Sequence, residues 1–338
     1  MPQPISPTQT PLVDRFGRVH TDLRVSVTDR CNLRCSYCMP AAGVEFRPHE
    51  SILRYEQIER FVRVAAGLGV RKVRLTGGEP LVRKGVAALV KMLAAVPGID
   101  DLAMTTNAIL LGQHADRLKA AGLMRLNISL DTLRPDRFRR TAGYDALPAV
   151  LAGIEAACRA GFRQIKLNAL AIRGESEEDV VPLARFARDK GLVLRFIEFM
   201  PLDGCRRWQA GQVLSAEETL DILRAEFGRL EPVSDDPAPA AAREYRFADG
   251  GGRVGVVPSV SRPFCDRCNR LRLTSDGKLR NCLFTTEPTD IGPLLRGGGP
   301  EERIVEAIRT AVETKHPARG ADHGGFAHCT PTMHQIGG

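Results

Sequence analysis

The sequence predicts an α/β fold, a partial (βα)6 barrel followed by a C-terminal extension. Six apolar, β-rich runs alternate with helix-period segments at fairly regular intervals. The alternation stops after Phe199, where a capped helix, a breaker-rich stretch and a hairpin signal follow instead. Near-continuous apolar strands between helices indicate parallel βα units covered on both faces. The periodicity alone suits an open doubly wound sheet equally well.

Taken in order, residues 1–20 (MPQPISPTQTPLVDRFGRVH) are rich in Pro and Thr with no apolar run, so they read as a flexible leader and not as a secretory signal or anchor. The strand runs are Leu23 to Val27, Lys72 to Thr76, Asp101 to Thr105, Arg125 to Leu130, Gln164 to Leu170 and Val193 to Phe199. Between them lie Tyr55 to Leu68, with Ile58, Phe61, Val62, Ala65 and Leu68 on one stripe, then His114 to Ala121, Ala149 to Ala160 and Ser176 to Lys190. A helix from Ser215 to Phe227 opens with Glu218 at capping-box spacing. EPVSDDPAPAAAR then reads as a surface linker, and Asp276-Gly277 between two alternating runs as a hairpin. A last helix over about Glu301 to Thr314 precedes a Gly- and His-rich tail. The expected domains are therefore a leader at 1–20, a barrel at 21–230 and a C-terminal cluster-binding and substrate-binding region at 231–338 that ends in Gly337-Gly338.

Composition narrows the class. At 338 residues the chain needs no disulfides to build a core, and 43% hydrophobic with 26% charged residues excludes wholesale disorder and a coiled coil. No stretch reaches the ~18 apolar residues of a membrane span, so a cytoplasmic protein with no membrane partner is expected. The net charge of +8 points to an anionic partner such as nucleic acid or a nucleoside triphosphate. Yet the 48 basic residues are mostly Arg, a skew that reflects codon bias and makes any single Arg weak evidence.

Nine cysteines remain: Cys31, Cys35, Cys38, Cys158, Cys205, Cys265, Cys268, Cys282 and Cys329. In a reducing compartment their clustering suggests metal ligation before disulfides. Cys31, Cys35 and Cys38 form a CxxxCxxC in DRCNLRCSYCMP, on the loop leaving the first strand, where parallel α/β sheets gather ligands. Three thiolates within eight residues can wrap one four-iron cluster and leave one iron without a protein ligand. The other reading is zinc with a distant fourth ligand, for which paired CxxC is commoner. TGGEP, Thr76 to Pro80, follows the second strand, and Gly77 and Gly78 let backbone approach a ligand closely.

These residues resemble the radical S-adenosylmethionine (SAM) superfamily. The resemblance implies that SAM chelates the open iron, that Tyr37 meets the adenine and that Gly78 contacts the methionine amine.

A second triad lies in FCDRCNRLRLTSDGKLRNCLF. A hairpin about Asp276-Gly277 brings Cys282 back opposite Leu271, three residues from Cys268. The triad again stops at three ligands, and by spacing alone zinc and iron are equally open. Arg270 and Arg272 share one strand face, Leu271 and Leu273 the other. The face is either a solvated edge or a place for an anionic ligand.

This motif after a radical SAM domain, together with the terminal Gly-Gly, is similar to the branch of that superfamily that acts on GTP in molybdenum cofactor biosynthesis. The resemblance implies two [4Fe-4S] clusters, SAM, and GTP cyclised through ribose C3' and guanine C8. It implies GTP contacts at Arg24, Arg74, Thr105, Lys166, Arg270, Leu271 and Arg272, and SAM contacts at Ser129 and Met200 as well as Tyr37 and Gly78. It further implies catalytic parts for Arg24, Arg270, Arg272 and a diglycine tail, Gly337 and Gly338, threaded into the site. Cyclic pyranopterin monophosphate synthase would take the product, and a separate electron donor would feed the first cluster. A homodimer stays open.

From the residues alone, Arg74 and Lys166 can equally be strand-edge side chains that snorkel to solvent, and a glycine terminus is usually frayed. The family usually reads TTNG where this chain has Thr105, Thr106, Asn107 and Ala108. If that position needs positive φ, alanine strains the loop by about 1 kcal/mol. Cys158 reads as a small core hydrophobe. Cys205 has no obvious partner, and Cys329 with His323, His328 and His334 suggests at most an adventitious zinc site. The rivals are a radical SAM peptide-modifying enzyme with an auxiliary cluster and a basic zinc-ribbon nucleic-acid-binding module; the first reading expects no nucleic-acid partner.

Overall fold

The computed structural model describes residues 11–39, 43–202, 208–233, 241–317 and 332–337. Its strands are β1 Asp22–Ser26, β2 Lys72–Thr76, β3 Asp101–Thr106, β4 Arg125–Ser129, β5 Ile165–Ala171, β6 Val193–Glu198, β7 Leu230–Pro232, β8 Arg243–Phe247, β9 Arg253–Val257, β10 Arg270–Leu273, β11 Lys278–Arg280 and β12 Thr289–Asp290. The helices are α1 Tyr55–Gly67, α2 Val86–Ala94, α3 Leu111–Ala120, α4 Pro135–Ala142, α5 Leu147–Arg159, α6 Glu177–Asp189, α7 Ala216–Phe227, α8 Gly292–Arg296, α9 Glu301–Glu313 and α10 Met333–Ile336. Among the described residues no helix is long and apolar enough to cross a membrane.

All twelve strands join one sheet in the order β12-β11-β10-β1-β2-β3-β4-β5-β6-β9-β8-β7. From β1 to β6 each strand pairs in parallel with its successor and the order never reverses. That removes the doubly wound alternative, which needs a reversal at a switch point. Right-handed crossovers that all run one way set the helices on one side of the sheet. The two ends of the sheet do not pair, so the barrel is partial.

Period-two alternation sorts the side chains. Leu23, Val25, Val73 and Leu75 are fully buried against the helix layer, while Arg24 and Arg74, paired in register between them, face the concave side. On α1 the predicted stripe of Ile58, Phe61, Val62 and Ala65 is buried, as is Leu68 just beyond its end. Ser215 caps α7 by accepting from the Glu218 N–H at 3.3 Å, and the Glu218 carboxylate accepts in return from the Ser215 N–H at 3.0 Å.

The extension flanks the barrel on both sides. β10 pairs in parallel with β1, setting Arg270 beside Asp22 and Arg272 beside Arg24, and β9 pairs in parallel with β6. Three expectations change here. The segment read as a linker contributes Glu231 and Pro232 of β7 and Arg243, the first residue of β8, to the sheet; residues 234–240 lie outside the described residues. Helices α2 and α4 were not expected. Residues 11–20, expected as flexible leader, form a turn closed by a Val13–Val19 bridge, with Leu12 in the core.

The β10–β11 hairpin pairs Arg272 with Arg280 and Leu273 with Leu279. Its loop has one residue more than a two-residue turn, with Gly277 left-handed at φ +92°. Continued by two residues, this register sets Cys282 opposite Arg270 rather than Leu271. A one-residue slip changes which face a side chain takes.

Candidate functional site

A cavity of about 520 Å³ opens on the concave side, in the range of small-molecule sites. Both cysteine triads line it, as do Arg24, Tyr37, Arg74, Gly78, Thr105, Ser129, Lys166, Met200, Arg270 and Arg272. Leu271 does not: its side chain is 1% exposed in the helix-side core, so the expected substrate contact is corrected to a backbone one at most. Cys158 packs against the core from α5, away from the cavity. Gly338, Cys205, Cys329, His323 and His328 lie outside the described residues.

The first triad hangs on the loop after β1. The Arg34 and Ser36 N–H groups donate to Ala142 and Thr141 at 2.9 Å, tying the loop to α4. Burial, then the neighbouring Cys38, pushes the Cys35 thiol well up, and burial pushes Cys38 to about 12. Such thiols ionise only against a cation, and soft sulfur donors suit iron–sulfur or zinc centres. Among the described residues no His, Cys, Asp or Glu group stands ready for a single metal ion. A cluster puts each thiolate on a separate iron, so its ligands need not meet at one point.

The TGG loop lies directly on this cysteine loop. Gly78 N–H donates to the Thr28 carbonyl at 2.7 Å and Glu79 N–H to Arg30 at 2.8 Å. A Cβ at Gly78 would run into the Arg30 carbonyl, and one at Gly77 would stand 2.6 Å from the Thr28 oxygen. The glycines therefore serve backbone-to-backbone packing beside Cys31 as well as any ligand approach. Buried Glu79 accepts from Leu81 N–H, the Thr106 hydroxyl and Asn107 N–H at 3.0, 2.8 and 2.7 Å. Burial nevertheless raises its carboxyl to about 7. Tyr37 donates its hydroxyl to Asp131 at 2.7 Å, which fixes the ring at the cavity wall.

The family-typical glycine after TTN is replaced by Ala108, and that residue has φ +65°, alone among described non-glycine residues in the left-handed region. The positive φ on which the expected cost of about 1 kcal/mol depends is present. Gly153 of α5 has no room for a Cβ because the Ala108 carbonyl occupies its place.

The second triad is braced by residues the sequence reading left aside. Arg18 donates to the Cys265 carbonyl at 2.9 Å and the His316 carbonyl at 2.8 Å, and Asp14 holds it at 2.6 Å. Lys315 Nζ stands 3.5 Å from Cys268 Sγ and 3.0 Å from the Arg270 carbonyl. Burial would raise the Cys268 thiol, but Arg270 and Lys315 outweigh it and bring it down to about 7.

Between the triads the wall is cationic. Burial, then Arg272 and Arg74, pushes Arg24 well below its usual range, and burial with Arg270 beside it takes Arg272 to about 9. Arg24 Nε, Arg74 Nε and Asn127 Nδ2 are buried without a hydrogen-bond partner. Buried donors left unpaired call for an anionic acceptor. Lys72, Arg125, Asn127, Asn168 and Arg195 also line the cavity and were not singled out. The signal that finds them is their place in the alternation: Arg125, Asn127 and Ser129 on β4 repeat the two-residue spacing of Asp22 and Arg24 on β1 and of Lys72 and Arg74 on β2.

Two family profiles match the chain: the radical SAM superfamily over residues 25–187 and Molybdenum Cofactor Synthesis C over residues 192–320. A GTP 3',8-cyclase of Rhodopirellula baltica is 48% identical over 97% of this chain and 92% of its own length. One of Pelotomaculum thermopropionicum is 46% identical over 91% and 96%. GTP 3',8-cyclase 2 of Mycobacterium tuberculosis is 44% identical over 99% and 94%. In fold, the chain is similar to Streptococcus suis SuiB bound to S-adenosylmethionine, with TM-score 0.63, 15% identity and coverage of 88% and 69%. Native anSMEcpe with bound AdoMet gives TM-score 0.56, 16% identity and coverage of 79% and 75%.

Proposed function

This chain belongs to the GTP 3',8-cyclase family of the radical SAM superfamily, and from that premise we propose which of its residues carry the reaction. It is a lyase that cyclises GTP to (8S)-3',8-cyclo-7,8-dihydroguanosine 5'-triphosphate in molybdenum cofactor biosynthesis, with an iron–sulfur cluster and SAM as cofactors. The zinc-ribbon module and the peptide-modifying enzyme are set aside.

One observation carries the assignment of residues: two cysteine triads open onto a single cation-lined cavity. Cys31, Cys35 and Cys38 hold the cluster that binds SAM. Bound there, the cluster and SAM would supply the one-electron radical chemistry that the cyclisation needs. Tyr37, Gly78, Ser129 and Met200 position SAM. Cys265, Cys268 and Cys282 would hold a second four-iron cluster, three thiolates leaving one position for the guanine. Arg24, Arg270 and Arg272 place the base, while Arg74, Thr105 and Lys166, joined by Lys72 and Arg195, receive the triphosphate. The product passes to cyclic pyranopterin monophosphate synthase, and an electron donor serves the first cluster. Two cysteine triads built for iron suit the reducing cytoplasm.

The deciding experiment is anaerobic reconstitution followed by incubation with SAM, reductant and each of the four ribonucleoside triphosphates. We expect 5'-deoxyadenosine with GTP only and about eight irons per chain. Equal release with all four, or iron near four, sinks the assignment.

Lys166 gives a pH signature. Burial and Arg195 lower its ammonium to about 8, against Glu244, which raises it. The side chain is charged below that value and neutral above it, so kcat/KM for GTP, which reports the free enzyme, should fall as pH rises through about 8. Lys166→Arg should keep the charge and abolish that fall; an unchanged alkaline limb removes Lys166 from the triphosphate site.

A further inference from the structure

Glu244 stays outside the cavity wall yet holds two of its cations. The registers set Ser129, Asn168, Arg195, Gly255 and Glu244 in one cross-strand row over β4, β5, β6, β9 and β8. Two strands normally separate residues such as Arg195 and Glu244 too far for contact by short side chains. Here the residue between them is glycine: a Cβ at Gly255 would stand 3.2 Å from Arg195 Cγ and 3.5 Å from Glu244 Cγ. A larger side chain would stand between the pair.

Across this gap the Glu244 carboxylate accepts from Arg195 Nη2, and it lies 3.6 Å from Lys166 Nζ and 4.0 Å from Arg253 Nη1. Burial works against its charge, but Arg195 and Lys166 hold the carboxyl below its usual range. Lys166 and Arg195 line the cavity; Glu244 does not. Arg195 Nε is buried and unpartnered like the Nε atoms of Arg24 and Arg74, but among the described residues Arg195 has a carboxylate on its guanidinium and those two have none within 4 Å. The cationic wall is thus of two kinds: guanidiniums waiting for an acceptor, and a pair already shared with an anion behind them.

We propose that Glu244 is a specificity-setting counter-ion that pairs with Lys166 and Arg195 in the empty cavity and competes with the substrate's polyphosphate for them. It sets how strongly affinity grows with phosphate number and keeps the triphosphate, which the product also carries, from being held too tightly. The inference rests on the reading that Lys166 and Arg195 receive the triphosphate.

The test measures dissociation constants of GTP, GDP and GMP by calorimetry on the anaerobically reconstituted full-length enzyme. Glu244→Gln keeps an acceptor for Arg195 but drops the charge, so it should tighten GTP by about tenfold, GDP less, and leave GMP unmoved. Glu244→Asp, which withdraws the carboxylate by one methylene, should shift GTP less and in the same direction. In steady state KM should fall in Glu244→Gln while kcat does not rise. No gradient across the three nucleotides, or equal weakening of all three in both variants, overturns the counter-ion role. Lys166→Ala and Arg195→Ala separate the two levels. If both bind GTP like the parent, the triphosphate reading itself fails; if they weaken it and Glu244→Gln shows no gradient, only the counter-ion role does.

Discussion

Replacing Cys35 with alanine is expected to abolish cyclisation, a loss of more than about 10⁴-fold, because it removes a ligand of the cluster that would bind and reduce SAM. The thiol lies between Cys31 and Cys38 on a loop pinned to α4, and burial holds it protonated until iron takes the proton's place. Two remaining thiolates cannot retain a cluster that must also leave one iron open to SAM. Iron should drop from about eight to about four per chain, the remainder sitting on the second triad. Cys158→Ala is the matched control: that thiol packs against the core away from the cavity, and its loss should leave iron and turnover within about twofold of the parent. Residual turnover above one hundredth in Cys35→Ala, or an equal loss in Cys158→Ala, contradicts this division of the cysteines.

The sequence made some of this site legible and hid the rest for physical reasons. Spacing alone exposed both triads, because cluster ligands must come close along the chain or across a tight hairpin. The strands were legible because period-two burial leaves an alternating trace, as at Leu23, Arg24 and Val25. Arg125 and Arg195 were hidden by the chain's arginine excess, which strips meaning from any one arginine; only register restores it, Arg125 sharing a cross-strand row with Arg24 and Arg74 and Arg195 one with Asn168 and Ser129. The turn at residues 11–20, closed locally by Asp14 with Arg18 and by the Val13–Val19 bridge, was hidden because what seats it on the fold is remote in sequence. Its stability comes from Arg18 reaching the Cys265 and His316 carbonyls, some 247 and 298 residues away in sequence. The strands β7 to β9 were hidden because breaker residues dominate the segment before β8, while β9 owes its place to pairing with β6. Cys282 was displaced by one position because Asp-Gly announces a two-residue turn, and the chain makes a longer one with Gly277 left-handed.

Gly337→Ala carries the second large effect, and it tests the tail separately from the clusters. Gly337 adopts φ +77°, which costs an L-residue about 1–2 kcal/mol. Space is the stronger constraint: an added Cβ would stand 2.6 Å from Thr76 Oγ1 and 2.9 Å from Ser26 Cβ. Both neighbours end central strands and have nowhere to go, so the tail itself must move. Two contacts go with it. Arg272 donates to the Gly337 carbonyl at 2.6 Å, the acceptor that a fully buried guanidinium needs, and the His334 backbone eases the charge on Cys38. The tail therefore spans from the first triad to the arginine beside the second, and displacing it frees Arg272 to turn away from the cavity. A shift of about 1 Å in a positioning group costs roughly 10²-fold in rate, and we expect turnover to fall by about that factor with iron content and SAM binding intact. Gly161→Ala isolates backbone strain from collision. Gly161 has nearly the same φ, +78°, with nothing within 4 Å of the added Cβ, so it should lose about 1 kcal/mol of stability and no activity. Equal turnover in Gly337→Ala and Gly161→Ala would show that the tail's seat between Ser26 and Thr76 plays no part in the chemistry.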